Sequence, residues 1–288
     1  MKAILFEKLG EDILRCQVCN HYCLIKNGKR GLCGVRENID GELVALNYGL
    51  TIATSIDPIE KKPIYEYLSG TRSYSFSTVG CNMNCPWCQN QGISQAPKPN
   101  NKINGYEISP QAHVNNAVNF NCPSISYTYS EPTIFIEYAY DTMKIAHRNG
   151  LKNIWVSNGY MSKETLDIIL PYLDAINVDY KGTKEVYKKY MKCDNKVVLE
   201  NLQRIKNAKI HLEVTTLLIP GVNTKRNEIL AIINDLVTYL GTDFIWHISR
   251  FYPHYKMKNK SITKLSTLQV AKELGKKAGI KRIYLGNV

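Results

Sequence analysis

Thr78-Val79-Gly80-Cys81-Asn82-Met83-Asn84-Cys85-Pro86-Trp87-Cys88-Gln89-Asn90 places three cysteines at C-x3-C-x2-C spacing, directly after a strand-like run over residues 74–79. Three thiols this close in sequence converge on one point when the loop that carries them curls around it, and a metal group is the natural occupant. Closed zinc sites and ordinary iron-sulfur clusters take four protein ligands, so a trio suggests a 4Fe-4S cluster with one iron left open to another ligand. Two other readings stand beside it. One is a zinc site completed by a fourth ligand from elsewhere in the chain; the other is three packed cysteines without a metal, which the polar, Pro-containing loop disfavours.

On both sides of this stretch the sequence has a regular plan. Strands are expected at 74–79, 124–129, 153–157, 175–180, 211–218, 244–251 and 282–285, and helices at 110–120, 132–148, 163–172, 196–207, 226–240 and 267–278, where apolar residues recur at intervals of three and four. Alternation of this kind is the pattern of parallel βαβ units. Six core strands with right-handed crossovers give an α/β fold of the partial parallel (β/α)6 barrel type, with functional groups where strands give way to the following loops. Polar residues do collect there: Tyr129-Ser130-Glu131-Pro132, Ser157-Asn158-Gly159, Asp179-Tyr180-Lys181, Glu213-Val214-Thr215-Thr216 and Trp246-His247-Ile248-Ser249-Arg250. Residues 92–105, rich in Asn, Pro and Lys, read as one long polar loop after the cysteine motif, suited to a lid or to partner docking.

Residues 1–70 form a separate N-terminal extension ahead of a core domain at 71–288. Cys16, Cys19, Cys23 and Cys33 make C-x2-C-x3-C-x9-C, and glycines at 28, 31 and 34 permit tight turns around a metal. Four thiolates suit structural zinc and an auxiliary iron-sulfur cluster alike, and His21 is placed to replace one cysteine. Residues 43–52 alternate loosely as a strand, and 57–63 are a turn-rich connector into the core.

Composition narrows the setting. Nine cysteines, seven of them in two tight groups, are metal-ligand arithmetic rather than a disulfide framework, so a reducing, cytoplasmic compartment is expected. No stretch approaches the roughly 20 apolar residues of a membrane span, and none is expected to meet a membrane. The 37 Lys and Arg exceed the 25 Asp and Glu to give +12, spread along the chain with modest clusters at 26–30, 184–192 and 256–264. Such a spread is solvated surface first, with nucleic acid retained as a partner class. Cys122 and Cys193 lie outside both groups and read as packed thiols; His113, His147, His211 and His254 lack companions at ligand spacing and read as surface or core residues. Phe135, Ile136, Tyr138 and Tyr140 read as helix core.

The C-x3-C-x2-C segment resembles the signature of radical S-adenosylmethionine (SAM) enzymes, in which the residue before the third cysteine is aromatic and sits near the adenine; here it is Trp87. Over almost its whole length the chain resembles the radical SAM component of the AmmeMemoRadiSam system, related to pyruvate formate-lyase (glycyl-radical enzyme) activating enzymes. The matching stretches are the four-cysteine block with Gly34-Val35-Arg36-Glu37-Asn38, then Tyr129-Ser130-Glu131-Pro132-Thr133, Asn177-Val178-Asp179-Tyr180-Lys181 and Trp246-His247-Ile248-Ser249-Arg250-Phe251. The activating enzymes carry Gly-Gly-Glu where this chain has Tyr129-Ser130-Glu131, so only the acid is carried over.

The resemblance implies an oxidoreductase with a 4Fe-4S cluster on Cys81, Cys85 and Cys88. SAM is then its cofactor, with Glu131 suited to the amine, Asp179 to the ribose hydroxyls and Lys181 to the carboxylate, while Asn158 and His247 occupy positions like those that contact SAM in the relatives. The resemblance further implies that an electron donor would reduce the cluster, that SAM would yield methionine and a 5′-deoxyadenosyl radical, and that the radical would take hydrogen from a substrate. By analogy that substrate is a backbone glycine of a partner protein. RNA or a small metabolite, modified together with the other proteins of the system, is the alternative. A zinc-stabilised binding module without redox chemistry is the non-enzymatic reading.

Overall fold

The computed structural model describes residues 1–10 and 12–288. The chain falls into two compact units, one of residues 1–83 with 90–176 and the other of residues 84–89 with 177–288.

The first unit opens with an antiparallel meander of β1 (Phe6–Lys8), β2 (Ile13–Cys16) and β3 (Leu24–Lys26), in which Phe6 pairs with Cys16 and Leu14 with Ile25. Next comes a hairpin of β4 (Arg36–Ile39) and β5 (Glu42–Ala45). Asp40 and Gly41 close it, both at positive φ (50° and 77°), the two-residue turn whose twist matches paired strands. The strand expected over 43–52 is therefore broken: β5 ends at Ala45, a turn with Gly49 at φ 76° follows, and β6 (Leu50–Thr51) resumes.

The expected connector at 57–63 also differs. Its first two residues end β7 (Ala53–Pro58), which pairs antiparallel with β8 (Arg72–Ser77) from Ala53 opposite Ser77 to Pro58 opposite Arg72. Pro58 is tolerated because β7 stands at the end of the strand order, where a missing donor breaks no ladder. Beyond β8 the polar loop at 92–105 contains two single helical turns, Gln91–Ser94 and Pro97–Asn100, before β9 (Tyr106–Glu107). β10 (Ser124–Tyr127) and β11 (Lys152–Ser157) then run parallel to β8, with Ile125 opposite both Tyr74 and Asn153. β10 stops two residues short of the expected end because Tyr129 turns the chain at φ 65°.

Helices return the chain between these strands. Pro110–Asn119 starts at Ser109, whose side chain accepts from the Ala112 N–H, and Lys163–Ile169 starts at Ser162, which accepts from Thr165. The helix expected over 132–148 begins as a 3-10 turn, Pro132–Phe135, and becomes α-helical at Ile136–Arg148. Its Glu137 makes a fully buried, bidentate ion pair with Arg36 at 2.6 and 2.9 Å and also accepts from the Ile4 N–H at 3.1 Å. The N-terminal segment is thereby fastened to this helix. His113 is a core residue: it stacks on Phe76 with centroids 3.9 Å apart, and its ring nitrogens bond the hydroxyls of Tyr74, Tyr138 and Thr51.

β12 (Ala175–Asp179) carries the chain from the first unit into the second. Strand order is β7-β8-β10-β11-β12 in the first and β12-β13-β14-β15 in the second, with β13 (His211–Leu218), β14 (Ile245–Arg250) and β15 (Arg282–Gly286) parallel. Thr215, His247 and Tyr284 stand side by side in that register. Helices Asn195–Asn207, Arg226–Leu240 and Leu265–Lys277 follow β12, β13 and β14. Arg226–Leu240 buries Ile229, Ile232, Ile233, Leu236 and Leu240, one apolar stripe at helical spacing. The strand-helix repeats of the expected α/β fold are present in both units, and their strands are mostly parallel. No described helix is long and apolar enough to cross a membrane.

Candidate active site

In the first unit the path from β8 to Cys81 is pinned by hydroxyls. Ser77 donates to the Ser130 hydroxyl at 2.8 Å, Ser130 donates to the Thr78 carbonyl at 2.8 Å, and Asn47 donates to the Thr78 hydroxyl at 2.8 Å. Gly80 then turns at φ 103°, and a Cβ there would stand 2.7 Å from Val35 Cγ1 and 3.1 Å from the Cys33 carbonyl oxygen. Only glycine passes this point. Cys81 Sγ accepts from the Met83 N–H at 3.4 Å and has Asn158 Nδ2 3.9 Å away. Donors aimed at a sulfur favour its thiolate, the form that binds metal.

Glu131 and Asn158 come to the same place from the ends of β10 and β11. Glu131 is buried; its Oε1 accepts from the Thr133 N–H, the Thr133 hydroxyl and the Ser157 hydroxyl, whereas Oε2 accepts, among the described residues, only from the Asn158 N–H at 2.8 Å. Burial pushes this carboxyl above its ordinary range despite those donors. Each carboxylate oxygen has two lone-pair sites, so Oε2 retains acceptor capacity. The Asn158 side chain donates to Asn82 Oδ1 at 2.7 Å.

The second unit holds Cys85, Trp87, Cys88, Asp179, Lys181 and His247. The Cys88 N–H returns to the Cys85 carbonyl at 3.1 Å, and the Pro86 carbonyl accepts from Lys256. Trp87 is buried and meets Tyr190 edge-on at 5.5 Å. Lys181 Nζ sits 3.1 Å from Asp179 Oδ2, with the lysine side chain 12% exposed and the aspartate 42%. Burial works against its charge, but Asp179 and Cys85 outweigh it, and the ammonium stays above its ordinary value. His247 Nε2 lies 2.5 Å from Oε2 of the wholly buried Glu213, whose Oε1 meets His211 at 2.8 Å; the His247 ring stacks on Tyr284. Sequence reasoning saw Glu213 only as part of a polar strand and gave it no role.

Back in the first unit, Cys16 closes β2 and its N–H donates to the Cys23 carbonyl at 3.0 Å, just before β3. Cys16, Cys19, Cys23 and Cys33 line one cavity, joined there by Arg36 and Asn82, and form no disulfide. Burial pushes the Cys16 thiol up to about 11 against the opposing Arg36, and raises Cys19 and Cys23 as well. Among the described residues no three His, Cys, Asp or Glu side chains converge as the ligands of a single ion do. His21, a possible substitute ligand by sequence, has Nε2 on the Asn82 carbonyl at 2.9 Å. Cys122 and Cys193 are buried, as packed thiols are.

Residues 75–235 match the Radical SAM superfamily. An uncharacterized protein of Methanocaldococcus jannaschii is 42% identical over 287 residues, covering 100% of this chain and 85% of its own length. The (2S)-3-sulfopropanediol dehydratase activating enzyme of Klebsiella oxytoca is 25% identical over 118 residues, 41% of this chain and 37% of that protein. Among solved structures, a radical SAM methyltransferase from Sphaerobacter thermophilus has the same fold, with a TM-score of 0.57 at 11% identity over 75% of this chain and 67% of that one.

Proposed function

The chain belongs to the radical SAM superfamily, and from that premise we propose that it cleaves SAM reductively at a 4Fe-4S cluster held by Cys81, Cys85 and Cys88 and takes hydrogen from a substrate in the manner of glycyl-radical activating enzymes. When bound, the cluster and SAM supply one-electron cleavage of the sulfonium to methionine and a 5′-deoxyadenosyl radical.

The residues present fit such a group. Three thiols leave one iron of a four-iron cluster without a protein ligand. Cys81 has donors at its sulfur and Lys181 keeps its charge beside Cys85, surroundings suited to metal-bound sulfur at both positions. The observation that carries the reading is Asn158, which links the acid expected at the SAM amine to the cysteine expected at the cluster. Its backbone N–H holds Glu131 Oε2, and its side chain reaches Asn82 and lies near Cys81.

In this reading Glu131 accepts from the SAM amine through Oε2, Lys181 donates to the carboxylate, Asp179 takes the ribose hydroxyls and Trp87 packs against the adenine. His247 contacts SAM from β14, its ring held by Glu213. The burial of Glu131, Trp87 and His247 keeps water from the reacting bond. Cys16, Cys19, Cys23 and Cys33 hold a second metal centre. The local similarity to an activating enzyme supports a partner protein as the source of the hydrogen, and an electron donor supplies the electron.

Anaerobic protein reconstituted with iron and sulfide, then given dithionite and SAM, tests this. Methionine and 5′-deoxyadenosine should form in equal amounts, and Cys81→Ala should form neither. Cluster-loaded wild-type protein that makes no 5′-deoxyadenosine rejects the reading.

A further inference from the structure

Among the described residues, several buried side-chain donors of the first unit have no hydrogen-bond partner, and two of them belong to residues that line the four-cysteine cavity: Arg36 through Nε and Asn82 through Nδ2. The side chains are only 1% and 4% exposed. The Arg36 Nη atoms are committed to Glu137 and the Ile134 carbonyl, Asn82 Oδ1 accepts from Asn158, and the Asn82 carbonyl meets His21.

A buried N–H without an acceptor is destabilising, because it has given up its bonds to water and gained none. Two of them beside four thiols call for acceptors inside the cavity, and metal-bound sulfurs are such acceptors. The arrangement of the thiols narrows the metal. A tetrahedral zinc site, with Zn–S near 2.3 Å, needs sulfurs roughly 3.8 Å apart. Among the described residues no group of three His, Cys, Asp or Glu side chains is placed to hold a single metal ion, although all four cysteines line one cavity. A polynuclear cluster spreads its cysteine sulfurs further and adds inorganic sulfides that accept N–H bonds.

We infer that Cys16, Cys19, Cys23 and Cys33 hold an iron-sulfur cluster, distinct from the one assigned to Cys81, whose sulfurs accept from Arg36 Nε and Asn82 Nδ2. Only the identity of that other cluster rests on the radical SAM reading. Asn82 directly follows Cys81, so one residue both donates in this cavity and neighbours a ligand of the other site.

The test uses the full chain carrying Cys81→Ala, Cys85→Ala and Cys88→Ala together, reconstituted anaerobically with iron and sulfide in the presence of zinc. About four iron and four sulfide per chain should remain, with a reduced-state paramagnetic signal that ignores SAM and with little zinc. Adding Asn82→Ala should lower the midpoint potential of the remaining cluster, since a lost N–H bond destabilises the more negative reduced state. A folded triple variant that binds about one zinc and no iron overturns the inference, and an unchanged potential overturns the assignment of Asn82. Should the triple variant not fold, wild-type protein decides: about eight iron supports two clusters, and about four iron with one zinc overturns the second. Failure of the radical SAM reading looks different, because it removes SAM cleavage from wild type and leaves the metal content of the triple variant as it is.

Discussion

Asn158 donates from Nδ2 to Asn82 Oδ1 at 2.7 Å, which sets that amide 3.9 Å from Cys81 Sγ. A partner of this kind orients a metal ligand without binding the metal, and its loss typically costs 10- to 100-fold in affinity or activity. Asn158→Ala is therefore expected to slow 5′-deoxyadenosine formation by about 10- to 100-fold at saturating reductant. The thermal unfolding midpoint followed by circular dichroism should fall modestly, because Asn82 Oδ1 and the Tyr160 N–H each lose a partner, while the fold is kept. An unaltered rate would separate Asn158 from the site.

Gly80→Ala tests how the motif loop is held. The added methyl would meet Val35 Cγ1 at 2.7 Å and must adopt φ 103°, which alanine resists. Overpacking alone is expected to cost about 1 to 3 kcal/mol, read from urea unfolding, and the backbone strain adds to it. Iron content after reconstitution should fall with it, because the displaced residue precedes Cys81.

Glu213→Gln tests the support of His247. The substitution keeps the shape but removes the charge that faces two imidazoles, at 2.5 Å to His247 and 2.8 Å to His211. The Michaelis constant for SAM is expected to rise by about tenfold, since a misoriented ring costs on the order of 1.4 kcal/mol, with iron content unchanged. Rescue by Glu213→Asp should be incomplete, because the shorter side chain reaches one imidazole at a time.

His113 gives the fold a dependence on pH. Burial pushes its pKa down to about 3, so the folded chain holds the ring neutral while the unfolded chain protonates it below its ordinary value near 6.5. The unfolded state then binds more protons, and stability rises with pH in that interval. Its contribution is complete above pH 6.5 and is lost as pH falls toward 3, with a slope of up to about 1.4 kcal/mol per pH unit. His113→Gln should flatten urea stability between about pH 6.5 and 5, where most carboxylates are still ionised.

Much of the framework was legible because its signals are local. The strand-helix repeats carry their own periodicity, and the cysteine spacings, Glu131, Asn158 and Lys181 stand where strands end. The short antiparallel strands β1 to β3 escaped notice, since three or four residues are too few to show alternation, and β7 hid in a Pro-bearing connector. Other features depend on partners far away in the chain. Arg36 and Glu137 are 101 residues apart, and nothing near either one announces a buried ion pair. Glu213 resembles any polar residue on a half-exposed strand until β14 brings His247 beside it. Asn82 lies inside the motif itself, but its idle amide becomes visible only once the cavity around it is closed.

Electron paramagnetic resonance of anaerobic, dithionite-reduced protein, recorded before and after SAM is added, bears most directly on the assignment of Cys81, Cys85 and Cys88. The expected result is a reduced 4Fe-4S component whose g-values shift with SAM in wild type and which is missing from Cys81→Ala. A cluster spectrum that stays the same at saturating SAM, or a SAM-dependent shift that survives Cys81→Ala, would contradict it.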